Sequence, residues 1–97
     1  MIHHIVAFRF KAGTTSAQII AAGAGLLAMA GRIPDIRAIR FAPNQAPSAS
    51  EYSHVLTVVL DDMAAVQRYG DHPVHLETVA RFLAPIREAR LALDIEA

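Results

Sequence analysis

Two segments of this chain are the most strand-like: residues 2–10, which contain no turn former, and residues 52–60, which are rich in Val and Leu. Side chains alternate between the two faces of a strand, and in both segments each face is largely apolar. When helices cover only one side of a sheet, the second face contacts solvent and should carry more polar side chains than this. We therefore expect the second face to be covered too, most economically by another copy of the chain.

The composition limits the class of protein. The chain has 97 residues, 54% of them hydrophobic, and we interpret residues 1–97 as one domain. Nine basic and nine acidic residues give a formal charge of zero, and the arginines are scattered, so we expect no nucleic-acid partner. No apolar run approaches the roughly 20 residues of a membrane span, and a signal-peptide layout is missing, so we predict a cytoplasmic protein with no membrane association. The absence of cysteine excludes disulfides and thiolate nucleophiles.

The first helix is predicted from its N-terminal cap. Thr15 and Gln18 have the spacing of a capping box, in which each side chain bonds the other residue's backbone amide. Apolar residues then recur at steps of four and three in one stripe that should pack on the sheet: Ile19, Gly23, Leu26, Ala30 and Ile33. Pro34 should end this helix, and residues 36–41 predict a second, less regular strand because two arginines interrupt it.

The second half of the chain continues with a loop, a strand, two short helices and a last strand. A Pro- and Ser-rich loop is predicted over residues 43–50, before the second strand-like segment. Asp62 can cap a short helix through Tyr69, Pro73 suits the first position of another helix, and residues 91–96 alternate as a final strand. The whole order predicts an α+β fold, a ferredoxin-like antiparallel sheet with helices on one face. A second copy on the apolar face would complete a dimeric α/β barrel.

The segment from Tyr69 to His75 carries the residues best suited to catalysis. His75 falls in the first turn of the last helix and on its buried face. The positive end of the helix dipole and burial both disfavour an imidazolium, so His75 should be neutral and able to act as a general base near pH 7. Tyr69 shares a helical face with Met63 and Val66, which turns it inward, where its phenol can donate to a carbonyl oxygen that gains negative charge.

Three further histidines are candidates for substrate binding. His4 and His54 occupy strand positions whose alternation can face the helices, the side on which Tyr69 and His75 must lie. His72 precedes Pro73 next to the predicted base. For each histidine the alternative is a structural role: a hydrogen-bonded core residue for the two strand positions, and a bond that holds the turn for His72.

The spacing of His72 and His75 also raises the question of a metal site. No acidic residue shares their buried face, and His72 lies outside the helix, so the pair does not converge on one ion and we predict no metal. The sequence contains no glycine-rich phosphate loop, nucleophile elbow or paired carboxylates. We predict no cofactor.

These residues resemble the marks of the Dabb family, the stress-responsive dimeric α/β-barrel proteins, over nearly the whole chain. The matching positions are His4-Ile5-Val6 with Phe8, Phe10 and Lys11, Ile33-Pro34, Tyr52-Ser53-His54-Val55, Tyr69 with His72-Pro73-Val74-His75, and Asp94. The resemblance implies a homodimer whose apolar sheet faces close a barrel.

The family includes a catalytic relative that needs no cofactor, the plant polyketide cyclase olivetolic acid cyclase. By that resemblance His75 would remove a proton between two carbonyls of a linear polyketide, Tyr69 would hold the carbonyl oxygen, and His4 and His54 would match pocket histidines. A pocket tyrosine of the cyclase falls at Leu26 here. The resulting hypothesis is a dimer that binds a small hydrophobic or poly-carbonyl ligand, with cyclase-like chemistry. A non-enzymatic stress-associated binding protein and a cofactor-free monooxygenase, in which the substrate carbanion would consume oxygen, remain alternatives.

Overall fold

The computed structural model describes all 97 residues and contains one four-stranded sheet, in which every neighbouring pair is antiparallel and the strand order is β2-β3-β1-β4. The strands are β1 (Ile2–Phe10), β2 (Ala38–Pro43), β3 (His54–Leu60) and β4 (Arg87–Glu96). The α-helices are α1 (Ser16–Ala28), α2 (Met63–Asp71) and α3 (Pro73–Thr78). This arrangement confirms the predicted ferredoxin-like α+β fold.

Helix α1 begins as its capping box predicts and ends earlier than its apolar stripe predicts. Thr15 Oγ1 accepts a hydrogen bond from the Gln18 amide at 3.2 Å, and Gln18 Oε1 accepts one from the Thr15 amide at 2.8 Å. The α-helix stops at Ala28 and a single 3₁₀ turn follows at Met29–Gly31. The tighter turn rotates the next side chains, so Met29 is buried and Ala30 is exposed. The predicted burial of Ala30 is wrong for this reason.

The two short helices α2 and α3 begin at their predicted caps. Asp62 Oδ1 accepts a hydrogen bond from the Ala65 amide at 2.8 Å, and Pro73 is the first residue of α3. After α3 the chain makes a π-helical turn at Val79–Leu83 before it enters β4. Strand β4 begins at Arg87, four residues before the predicted start, and this longer strand supplies residues to the site described below.

The hydrophobic core lies between the sheet and the helices. The even-numbered residues of β1 and β3 face the helices, and they include Val6, Phe8 and Leu56, which are all buried. The opposite face has no helix on it and stays apolar, as predicted. On β4 this outer face is formed by Leu91, Leu93 and Ile95, each 51% exposed in the single chain. None of the helices has the length and the hydropathy of a membrane-spanning segment.

Candidate functional site

A cavity of about 210 Å³ lies on the helix side of the sheet, and seven of its eleven lining residues are hydrophobic. Five of the lining residues, with the aromatic Tyr69 among them, bring a polar group: His4 from β1, Tyr69 from α2, His75 from α3, and Arg87 and Arg90 from β4. Three of the residues singled out from the sequence therefore meet in one apolar, partly enclosed space.

The imidazole of His75 is held in one tautomer by the backbone. Its Nδ1 lies 3.0 Å from the carbonyl oxygen of Gly70. A carbonyl oxygen only accepts, so Nδ1 carries the hydrogen and the neutral ring has its lone pair on Nε2. Burial is the main cause that lowers the pKa of His75, the bond to Gly70 opposes it, and the charges of His4 and Arg90 lower it further. Near pH 7 the ring is neutral and its Nε2 is available as a base.

The phenol of Tyr69 lies beside this ring. Tyr69 is 2% exposed, and its ring centroid is 4.5 Å from that of His75 and 5.7 Å from that of His4. Burial raises the pKa of Tyr69 to about 12, against a smaller lowering by Arg90, so the hydroxyl keeps its proton. The hydroxyl of Tyr69 makes no hydrogen bond within the chain. Every fully buried polar side-chain atom of the chain has a partner, so this hydroxyl is not fully buried. The little surface that the hydroxyl retains therefore faces the cavity, and its proton is free for a ligand.

A carboxylate orients His4 in the same cavity. Across the β1 and β4 pairing His4 stands opposite Asp94, and His4 Nδ1 lies 2.6 Å from Asp94 Oδ1. A carboxylate accepts hydrogen bonds, so Nδ1 of His4 carries a hydrogen here too, and Nε2 is the ring nitrogen without a partner in the chain. The side chain of His4 is 12% exposed. The cavity thus contains the imidazoles of His4 and His75, and in each ring Nδ1 donates to an acceptor that lies outside the cavity.

His54 does not share this cavity. It faces the helices, as predicted, but the pairing of His4 with Val58 places His54 four residues further along β3, roughly 13 Å away at strand spacing. Its ring stacks on Phe41, with centroids 5.3 Å apart, and Ser53 Oγ lies 2.9 Å from its Nδ1. It lines a separate apolar groove between α1 and β2. The predicted convergence of His54 with His75 is wrong, because alternation fixes the face of a residue and not its position along the strand.

His72 and His75 also point to different partners. His72 is the N-cap of α3, and its Nδ1 accepts a hydrogen bond from the Val74 amide at 3.1 Å. It does not line the cavity, so the structure supports the alternative in which this histidine holds the turn. No group of three or more His, Cys, Asp or Glu side chains is placed to hold a metal ion.

Two residues that line the cavity, Arg87 and Arg90, were not predicted from the sequence. A signal for Arg90 was present, because a final strand that turns Leu91, Leu93 and Ile95 to one face turns Arg90 to the other. Arg87 gave no such signal, since strand alternation would have placed it on the outer face. Its position depends on an irregularity of β4 that the sequence does not reveal.

The fold and part of the sequence are shared with known proteins. Residues 2–97 match the family model of the Stress Responsive A/B Barrel Domain, Dabb. An uncharacterized protein of Streptomyces coelicolor is 30% identical over 82 residues, which cover 82% of this chain and 84% of that protein. A dimeric ferredoxin-like protein of unknown function from Thermobifida fusca has a TM-score of 0.84 at 26% identity, covering 99% of this chain and 90% of that one.

A hydroxynitrile lyase from Passiflora edulis also shares the fold. Its TM-score is 0.84, and the match covers 97% of this chain and 90% of the lyase. At 20% identity this likeness concerns the fold alone. Because the family model matches residues 2–97, the chain belongs to the Dabb family of stress-responsive A/B barrel domains.

Proposed function

We propose that this protein is a homodimer that binds a small poly-carbonyl compound in the cavity and catalyses cofactor-free proton-transfer chemistry on it. The observation that carries the proposal is the neutral His75, whose Nδ1 is bound to Gly70, next to a protonated Tyr69 hydroxyl without a partner in the chain. A base and a hydrogen-bond donor side by side in an apolar cavity are what the removal of a proton next to a carbonyl requires.

The proposed step is an internal aldol closure. His75 Nε2 takes a proton from a CH₂ group between two carbonyls, and the resulting enolate keeps its charge on an oxygen to which Tyr69 donates a hydrogen bond. The enolate carbon attacks a more distant carbonyl of the same molecule, so a carbon–carbon bond forms and the attacked oxygen becomes an alkoxide. The His75 imidazolium returns its proton to that alkoxide, which restores the neutral base.

The apolar lining supports this chemistry in two ways. Val6, Phe8 and Leu56 exclude water, which strengthens the bond from Tyr69 to the enolate oxygen. His4 lies edge-on to Tyr69, and its Asp94 partner fixes the ring, so His4 serves as a binding group at the same end of the cavity. The lyase on this fold supports the view that the barrel can carry an enzyme.

The dimer in the proposal rests on the outer face of the sheet. Leu91, Leu93 and Ile95 are half exposed in the single chain, and the Thermobifida fusca protein of the same fold is dimeric. Packing of two such faces would bury these side chains. Native mass spectrometry of the purified protein should give twice the mass of the chain.

The test of the function is cyclisation of a linear 3,5,7-trioxo thioester. With no cofactor added, liquid chromatography with mass detection should show the cyclic product forming faster with the protein than in buffer. The same reaction with His75→Ala should run at the buffer rate while the variant keeps its circular dichroism spectrum. Binding of the thioester without acceleration would instead favour the non-enzymatic binding protein, and oxygen uptake during the reaction would favour the monooxygenase.

A further inference from the structure

Two arginines line the cavity without a carboxylate partner. Arg87 is half-buried and Arg90 is exposed, and no Asp or Glu is among the lining residues. The ion pairs of the chain involve other residues: His4 with Asp94, Arg9 with Glu88, Arg37 with Asp61, and Arg68 with Asp35. The two guanidinium groups that line the cavity therefore have no carboxylate within ion-pair distance.

A β-bulge brings the second arginine into the cavity. Arg9 pairs with Ala89 but Phe10 pairs with Arg87, so Glu88 is an extra residue in β4. In a regular strand Arg87 and Arg90, three positions apart, would point to opposite faces. The bulge reverses the alternation and turns both toward the helices. The displaced Glu88 is held by Arg9, whose Nε lies 2.9 Å from Glu88 Oε2.

The position of the arginines relative to the base suits a two-ended ligand. Arg90 is close enough to lower the pKa of both His75 and Tyr69, so its charge reaches the reacting end of the cavity. A guanidinium offers a planar set of donors that matches a carboxylate, and pairs of this kind are stronger than neutral hydrogen bonds. The cavity volume of about 210 Å³ is below the roughly 300–1,000 Å³ of sites for drug-sized ligands, which favours a small compound.

We propose that Arg87 and Arg90 bind a carboxylate of the ligand, so that the cavity binds a small oxo acid more tightly than the corresponding neutral ketone. This inference rests on the proposed function, in which His75 and Tyr69 act on a carbonyl group of the ligand. It adds a carboxylate of the same ligand, which the two arginines of β4 bind. The carboxylate binds at the arginines, and the carbonyl carbons then lie toward His75 and Tyr69.

Binding of a matched pair of stable aromatic compounds tests the inference without turnover. The probes are 2,4-dihydroxybenzoate and resorcinol, which differ only by the carboxylate, and the measurement is a titration followed by the ring signals of His75 in NMR. The acid should bind about tenfold more tightly or better than resorcinol, as expected for charge-assisted hydrogen bonds. Arg90→Met and Arg87→Met should each lower the affinity for the acid and leave the affinity for resorcinol unchanged. The control is Arg32→Met, an exposed arginine outside this cavity, which should change neither.

The outcomes separate this inference from the proposed function. Equal affinities for the two probes, or an Arg90→Met variant that loses both equally, overturn the carboxylate assignment, and so does the binding of neither probe. Tighter binding of inorganic phosphate than of the acid also overturns it and assigns the arginines to a phosphoryl group. The cyclisation assay reports on the proposed function independently, because it depends on His75 and uses a thioester that lacks a free carboxylate.

Discussion

The helix side of the sheet carries two histidine-containing regions that differ in what surrounds the ring. In the cavity, the ring centroid of His75 lies 4.5 Å from that of Tyr69, and the two arginines of β4 line the same space. In the groove between α1 and β2, His54 lies between the rings of Phe41 and Phe10, with centroid distances of 5.3 and 5.6 Å. Burial lowers the pKa of both histidines. A lowered pKa is therefore common to both regions, and the groups around each ring distinguish them.

The largest expected effect separates the two histidines by activity. His75→Gln should lower the rate of the proposed cyclisation by about 10²–10⁴, the usual contribution of a general base, because glutamine cannot accept the proton. His54→Gln should change the rate by less than about fivefold, since its groove does not open on the reacting groups. Initial rates at saturating thioester are the measurement. Equal losses in the two variants would contradict the distinction between the regions, provided that both melt as the wild type does.

Removal of one hydroxyl from each region should lower the rate only in the cavity, and by less than removal of the base. Tyr69→Phe should lower the cyclisation rate by about 10²–10³, as for the loss of one donor to a developing oxyanion. Its free energy of unfolding should stay within about 0.5 kcal/mol of wild type, because this hydroxyl has no partner in the chain. The matched change is Ser53→Ala, which removes the hydroxyl 2.9 Å from His54 and should leave the rate unchanged. Urea unfolding and initial rates are the two measurements. A Tyr69→Phe variant with full activity would remove the phenol from the mechanism.

The two regions also differ in how far the sequence predicted them. Local signals were enough for the elements and for the inward faces of Tyr69 and His75, because caps and helical spacing act over a few residues. The separation of His54 from His4 depends on the register between β1 and β3, which pairs residues more than forty positions apart. Arg87 depends on the extra residue Glu88 in β4. Strand register and bulges are set by long-range packing, so the composition of the cavity could be predicted only in part.

A close contact between a glycine and an aromatic ring allows the groove to be changed alone. A methyl group at Gly23 would lie 2.9 Å from Phe41 Cδ2, and Phe41 stacks on His54. Overpacking costs about 1–3 kcal/mol and the better helix propensity of alanine returns about 1 kcal/mol, so Gly23→Ala should destabilise the fold by about 1 kcal/mol. In NMR the ring signals of His54 should move while those of His75 stay in place.

The control for this change is a glycine in open space. A methyl group at Gly31 would meet no atom within 4 Å, so Gly31→Ala should leave stability unchanged or raise it by less than about 1 kcal/mol. Equal destabilisation by the two substitutions would mean that the contact with Phe41 is not the cause. Movement of the His75 signals in Gly23→Ala would mean that the two regions are mechanically coupled.

The smallest effect concerns the pH dependence of stability. Both His75 and His54 have a folded-state pKa below the ordinary value of 6.5, so between these values the unfolded chain binds more protons than the folded one. Their contribution to stability is complete above pH 6.5 and is lost as the pH falls from 6.5 through the folded pKa values. Urea unfolding at pH 7.5 and 5.5 should therefore show lower stability at the acid pH, and a smaller difference in His75→Gln and in His54→Gln.

Because the two rings lie in separate pockets, the reductions should add in the double variant to within about 0.5 kcal/mol. A larger departure from additivity would show that the cavity and the groove titrate as one region, and an unchanged pH dependence in His75→Gln would show that its burial does not hold the ring neutral.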